Sequence, residues 1–305
     1  MTPHALSKFW PLMYSIIQEF WVITETAIEE AAVTNGVPIE LYYYGELGLE
    51  YFSIDEFQKR DPFSNPEQFE KQFVRLNVKG WIEPIPDDRF SIPDRTRKAV
   101  KSIIEAGDAC MPPVDLFKDI DLERLKVLIK QIVLATMSKD SSLGFPQRWA
   151  VFRRFRVATR QSPVLVKIRE YLMDLFAYRD DSHLTAARPH FNQAGIVWST
   201  FGSVASGSAV TAARMAEVMA FRGYEVEEYD IALQAAKEIG WIEESDSAGS
   251  YRLTEKGIQL REQVEAKTDE YFYGPWSALT QEELDELDGL LTKLRDRLRE
   301  LRKKQ

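Results

Sequence analysis

The tetrapeptide Gly-Trp-Ile-Glu occurs twice, at 80–83 and at 240–243. Trp is scarce, seven in 305 residues, so this identity across 160 positions constrains the fold more than any other feature. Gly supplies the left-handed conformation that stops a helix, and Trp-Ile-Glu after it reads as the start of a strand. Before the first tetrapeptide, Phe69, Phe73 and Leu76 line one face of a helix. Pro66 opens that helix, and Ser53 with Glu56 caps a shorter one ahead of it. After the tetrapeptide, 84–88 turns and 89–92 returns as a second strand. Around the second tetrapeptide, Tyr229, Leu233 and Ala236 take the three apolar places and 251–253 returns the strand. Helix, turn, helix, hairpin is the order of a winged helix, and a unit of roughly 80 residues is repeated.

The rest of the chain is organised around these two units. Residues 5–34 carry apolar residues at helical spacing and end at Asn35-Gly36 and Pro38. Charged residues interrupt the stretch 1–28, so it reads as a buried helix and no membrane span is expected. Between the units lie helices over about 122–133, 146–160 and 164–179, broken at 141–146 and 162–163. Thr280 and Glu283 cap a last helix whose leucines fall at 284, 287, 291, 294, 298 and 301. That is a heptad seam. Leu284, Leu287, Leu291, Leu294, Leu298 and Leu301 therefore either join two chains into a homodimer or lie back on their own protein, and the narrow seam favours the dimer. The expected fold is mainly α with small β-hairpin wings. It comprises an N-terminal winged-helix domain with a leading helix (1–110), a helical connector (111–181), a second winged-helix domain (182–270) and a C-terminal heptad helix (271–305).

In a helix-turn-helix the second helix enters the major groove and must present basic or hydrogen-bonding side chains there. The first unit meets this condition. With Phe69 and Phe73 turned inward, Gln68, Lys71, Gln72, Arg75 and Lys79 face outward, and Arg89 lies on the wing. Residues 66–101 hold eight Lys/Arg against six Asp/Glu. The second unit fails the same condition: residues 225–261 hold four Lys/Arg against nine Asp/Glu. Phosphates would repel that helix, so double-stranded DNA is expected on the first unit alone. The second unit is left for packing or partner binding. The net charge of −9 excludes a protein that coats nucleic acid indiscriminately.

The strongest basic run, 148–169, contains Arg148, Arg153, Arg154, Arg156, Arg160, Lys167 and Arg169 and no acid. Two readings stand side by side. Arg153, Arg154 and Arg156 touch phosphate from a helix beside the first unit, or this basic face pairs with the acidic second half of the chain.

No catalytic motif stands out, so an enzyme is not expected. His183 and His190, two helical turns apart, lack the further ligands a metal needs, as does His4, and no metal or cofactor is expected. Residues 202–207 (GSVASG) lack the Lys of a phosphate-binding loop and read as a loop or a close helix contact. Tyr42, Tyr43, Tyr44, Tyr51 and Phe52 fit core and interface better than the pocket of a small-molecule ligand. One cysteine and no secretory leader point to the cytoplasm.

Several spaced residues carry a family likeness: Gly240-Trp241, Leu253-Thr254-x-x-Gly257, Arg261, Glu265 with Thr268-Asp269, and Pro275-Trp276. Over 183–294 the chain resembles the SalK-like helix-turn-helix proteins, a group related in pattern to MarR-type winged helices. The likeness implies a tandem helix-turn-helix fold and a regulatory role, and supplies no ligand or catalytic residue. In the first unit Ile92-Pro93-Asp94 stands where the family has Leu-Thr, so that unit is the divergent one. The function expected is a DNA-binding transcriptional regulator. The alternative is a scaffold or small-molecule sensor that uses winged helices for packing.

Overall fold

A computed structural model describes residues 6–43, 45–138, 146–191, 195–247 and 249–303. Its first half holds α1 (Phe9–Thr34), α2 (Ile39–Tyr43), β1 (Tyr51–Ser53), α3 (Ile54–Arg60), α4 (Pro66–Val78), β2 (Glu83–Ile85), β3 (Arg89–Ser91), α5 (Asp94–Ala109) and α6 (Leu122–Thr136). There follow α7 (Trp149–Arg153), α8 (Val164–Phe191), α9 (Gly195–Ser206), α10 (Ala212–Val218), α11 (Val226–Glu238), β4 (Ile242–Glu244), β5 (Tyr251–Leu253), α12 (Glu255–Tyr273) and α13 (Gln281–Arg302). The described chain is mainly helical, with one three-stranded and one two-stranded sheet. No described helix is long and apolar enough to cross a membrane. His4, Tyr44 and most of the expected break at 141–146 lie outside the described residues.

Two compact units, not the same as the two sequence repeats, interleave along the chain. One takes residues 1–50, 92–182 and 269–305; the other takes 51–91 and 183–268. The expected first domain, 1–110, is thus shared between them. Packing, not chain order, draws this division: the helices flanking 51–91 find their partners far away in sequence.

The first unit is built on α1, α6 and α13. Phe9, Met13, Ile16 and Phe20 share one core with Leu125, Leu128, Ile129 and Ile132. The leucine seam of α13 completes it. Leu284, Leu287, Leu291, Leu294 and Leu298 are buried there and Leu301 is half-buried at its edge. Burying each such side chain contributes about 1.5–3 kcal/mol. Ion pairs flank the seam: Lys8 with Asp288 at 2.5 Å, Arg124 with Glu286 at 2.7 Å and Arg299 with Glu19 at 3.2 Å. This corrects the expected use of Leu284–Leu301 as a dimer seam. The heptad pattern marks a narrow apolar stripe, and the chain covers that stripe itself.

In the second unit, local signals set each element. Ser53 and Glu56 form a capping box on α3; Asn65 caps α4, and Pro66 follows at its first position. Strand β3 is central: Phe90 pairs with Phe52 of β1 and with Pro84 of β2. Phe52, Phe57, Phe69, Phe73 and Phe90 pack ring on ring beneath this sheet, Phe57 and Phe69 at 4.8 Å. The other segment repeats the order with α10, α11, β4 and β5, where Ile242 pairs with Leu253. Its core is Tyr229, Leu233, Ala236, Trp241 and Ile242 with Trp198 and Phe201 of α9.

Both Gly-Trp-Ile-Glu sequences close their helices by one mechanism. Gly80 and Gly240 have φ of +71° and +78°. Their N–H groups donate to Asn77 and Lys237, and the N–H groups of Trp81 and Trp241 donate to Leu76 and Ala236. This double closure is the Schellman motif. Ile82 and Ile242 are buried, and Glu83 and Glu243 face outward.

Candidate nucleic-acid interface

Helix α4 turns Phe69, Phe73 and Leu76 into the core and leaves its opposite face in solvent. Lys71, Arg75 and Lys79, spaced by four, make a basic ridge along that face, and all three are exposed. Beside them Val74 and Val78 are 62% and 81% exposed. Lys71 also meets Glu67 at 3.7 Å, one turn back. Gln68 and Gln72 are half-buried. Gln68 packs under Gly223, where a β-carbon would lie 2.7 Å from that of Gln68. The sequence therefore places five polar residues outward and the fold keeps three of them prominent.

The β2–β3 hairpin, where a wing is expected, is less basic than the sequence suggested. Asp87 and Asp88 form its tip, both with positive φ. Arg89 lies over the Tyr51 ring at 4.7 Å, pairs with Asp87 at 3.2 Å, and is half-buried. Past the hairpin, the Arg97 guanidinium donates to the carbonyls of Leu47, Leu49 and Ile92 and holds backbone in place.

The turns of the two segments meet within the second unit. The Asn65 amide N–H donates to the Arg222 carbonyl at 2.8 Å and its side chain to that of Gly223 at 3.2 Å. Arg222 faces Asp61 at 3.5 Å and sits over the Phe63 ring at 5.3 Å. Gly195 admits the Pro62 carbonyl so closely that any β-carbon there would collide with it. Burial pushes the Tyr224 phenol up to about 12, helped by Glu228, Tyr229 and Asp61 and opposed by Arg222.

The basic run 148–169 is not one helix. Only Trp149–Arg153 is helical before the chain runs extended toward α8. Arg154 pairs with Asp174 at 2.8 Å and with Glu170, and Arg156 pairs with Asp174 at 2.8 Å. Arg153 donates to the Trp149 carbonyl at 3.2 Å and is half-buried. Arg169 pairs with Asp108 at 2.6 Å. Burial lifts the Asp108 carboxyl above its usual range, with Arg169 pulling the other way. Arg154, Arg156 and Arg169 thus find acid partners in Glu170, Asp174 and Asp108, and Arg154 and Arg156 are spent on structure. The physical cause is clear: Asp174 and Glu170 are almost wholly buried, and removing the partner of a buried charge costs roughly 3–5 kcal/mol. A signal was present, because Glu170 directly follows the run and Asp174 lies one helical turn further on.

Asp181 escaped sequence reasoning altogether. Fully buried, it accepts the N–H groups of Ala150 at 2.7 Å and Val151 at 3.0 Å and so anchors the start of α7. His183 and His190 both flank Trp198, at 6.3 Å between ring centres. No group of three potential metal ligands occurs among the described residues. Residues 202–206 are helical, part of α9, where the sequence suggested a loop or close contact.

The acidic segment has the opposite face. Helix α11 buries Tyr229, Ala232, Leu233 and Ala236 and exposes Glu227, Asp230, Gln234 and Glu238 around Ile231, itself 70% exposed. Lys237 is drawn aside to Glu244 at 2.5 Å.

Residues 178–302 match a helix-turn-helix family. The match supports a helix-turn-helix domain in this part of the chain, the part that also carries the likeness seen in the sequence, and does not reach the SalK-like or MarR-type subfamily. No curated protein and no solved structure matches the chain.

Proposed function

We propose that the chain is a DNA-binding transcriptional regulator of winged-helix type. Its two helix-turn-helix segments are divergent copies of one unit, α4 reads the duplex, and the second copy serves packing or partner binding. The observation that carries this reading is the exposed basic ridge Lys71-Arg75-Lys79 on α4, set against Glu227, Asp230 and Glu238 on α11. The helix-turn-helix match lends support to DNA binding as the class of activity. That match lies over the acidic segment, so electrostatics alone assigns the reading helix: a surface of carboxylates is repelled by phosphate. Gln68 and Gln72, half-buried, serve at the edge of the contact, and Arg89 reaches phosphate only by leaving Asp87.

Titration of duplex fragments by fluorescence anisotropy tests this. Three phosphate-directed cations predict a slope of about −3 in log affinity against log salt. Arg75→Glu should abolish binding, whereas Glu238→Gln should leave it intact or tighten it. Absence of binding at about 50 mM salt, where phosphate contacts are strong, would rule the reading out.

A further inference from the structure

The exposed faces of α4 and α11, helices of 13 residues each, differ in charge: α4 exposes Lys71, Arg75 and Lys79 with Glu67 and Glu70 toward its start, and α11 exposes Glu227, Asp230 and Glu238 with Lys237 drawn to Glu244. Each follows a capped turn, each ends in the same Schellman closure, and the caps, Asn65 and Glu225, are 160 residues apart like the tetrapeptides. On α4 the ridge Lys71-Arg75-Lys79 runs beside Val74 and Val78. On α11 the ridge Asp230-Gln234-Glu238 runs beside Glu227 and Ile231. Val78 is 81% and Ile231 70% exposed, apolar area that a helix crossing would bury. Ridges at four-residue spacing are the surfaces that interlock when helices cross.

We propose that these two faces dock on one another between two copies of this chain, α4 of each copy on α11 of the other. The contact is isologous, so it closes at two chains and uses both faces twice. The charge complementarity selects a second copy as occupant, because a single chain carries both the basic and the acidic half of the contact. The seam on α13, buried in its own unit, plays no part in this dimer. Where α4 also reads DNA, as proposed above, self-association and duplex binding compete for one helix, and the dimer is the resting form.

Sedimentation velocity on the full chain reads the outcome. The wild type should shift from monomer to dimer with rising concentration, and the shift should weaken with salt. K71E/R75E puts acid against acid, and E227K/E238K puts base against base, so each variant alone should remain monomeric. All four positions are on the surface, and circular dichroism checks that the fold is kept. An equimolar mixture of the two variants restores both contacts and should re-form the dimer to the wild-type extent. A wild type that stays monomeric throughout, or a mixture that fails to dimerise, would overturn the proposal. DNA binding is scored separately on monomeric E227K/E238K, whose reading helix is untouched. Loss of duplex binding there, with the mixture still dimerising, would sink the DNA reading and leave the dimer standing.

Discussion

The segments around α4 and α11 share their punctuation and almost nothing on their surfaces. Asn65 and Glu225 start the helices, Gly80 and Gly240 end them, and an antiparallel hairpin follows each. Yet one outer face is basic and the other acidic. Their following helices diverge as well. Thr254 stitches the start of α12 to the second tetrapeptide, its hydroxyl donating to the Gly240 carbonyl at 2.6 Å and accepting the Gly257 N–H at 3.0 Å. Pro93 at the start of α5 has no such side-chain bond. The difference teaches that stop signals fix backbone geometry while the solvent face remains open to change. A residue such as Gly80 answers to φ, and one such as Lys71 answers only to whatever docks on it.

The largest expected effect lies at the third position of the helix after each hairpin. Gly257 faces the Trp241 carbonyl so closely that any β-carbon would overlap it, while the equivalent Thr96 is fully buried. Gly257→Thr should therefore destabilise by about 3 kcal/mol or more, since backbone cannot yield cheaply. Thr96→Gly should cost about 1–2 kcal/mol through lost packing and poorer helix propensity. Urea unfolding of both variants checks the ranking, and equal costs would mean that the two positions are not distinguished in the way the geometry requires.

A middle-sized effect tests whether the turn contact matters. Asn65 caps Glu67 at 3.0 Å and also reaches Gly223. Asn65→Ala should cost about 1–2 kcal/mol, the upper range for a lost cap. Ser at this position keeps the cap but is too short to reach Gly223. A stability of Asn65→Ser close to wild type would show that the contact with the second segment contributes little.

The last effect is a pH dependence, absent at neutral pH and confined to the alkaline range. The Tyr224 phenol holds its proton to about pH 12 in the folded chain, against 10.0 ordinarily. The folded state binds more protons in that window, so stability is intact below about pH 10 and falls as pH rises toward 12. Tyr224→Phe should flatten this part of the curve in thermal melts. An unchanged slope would place the phenol in a more solvated setting than its burial implies.

Much of the fold could be read from the sequence because helix ends are local events. Ser53 with Glu56, Pro66, Gly80, Gly240 and Thr280 with Glu283 each act within four residues of themselves. What could not be read depended on residues far apart. The seam of α13 states that a partner exists, and only packing identifies it as α1 and α6. Arg154 and Arg156 announce charge, and only the fold brings Asp174 to them. The candidate site falls between these cases: the outward face of α4 followed from its apolar spacing, while the withdrawal of Gln68 beneath Gly223 depended on a turn 155 residues away.

The pairing of α1 with α13 has a consequence in time. These helices are 247 residues apart, from Thr34 to Gln281, and share one core. During synthesis at about 5–20 residues per second, α1 leaves the ribosome on the order of ten to fifty seconds before α13 is made. Over that interval Phe9, Met13, Ile16 and Phe20 lack the leucines that cover them. The first unit therefore completes its core only after translation of α13, and a chain stopped before residue 281 leaves its earliest helix as a standing target for chaperones and aggregation.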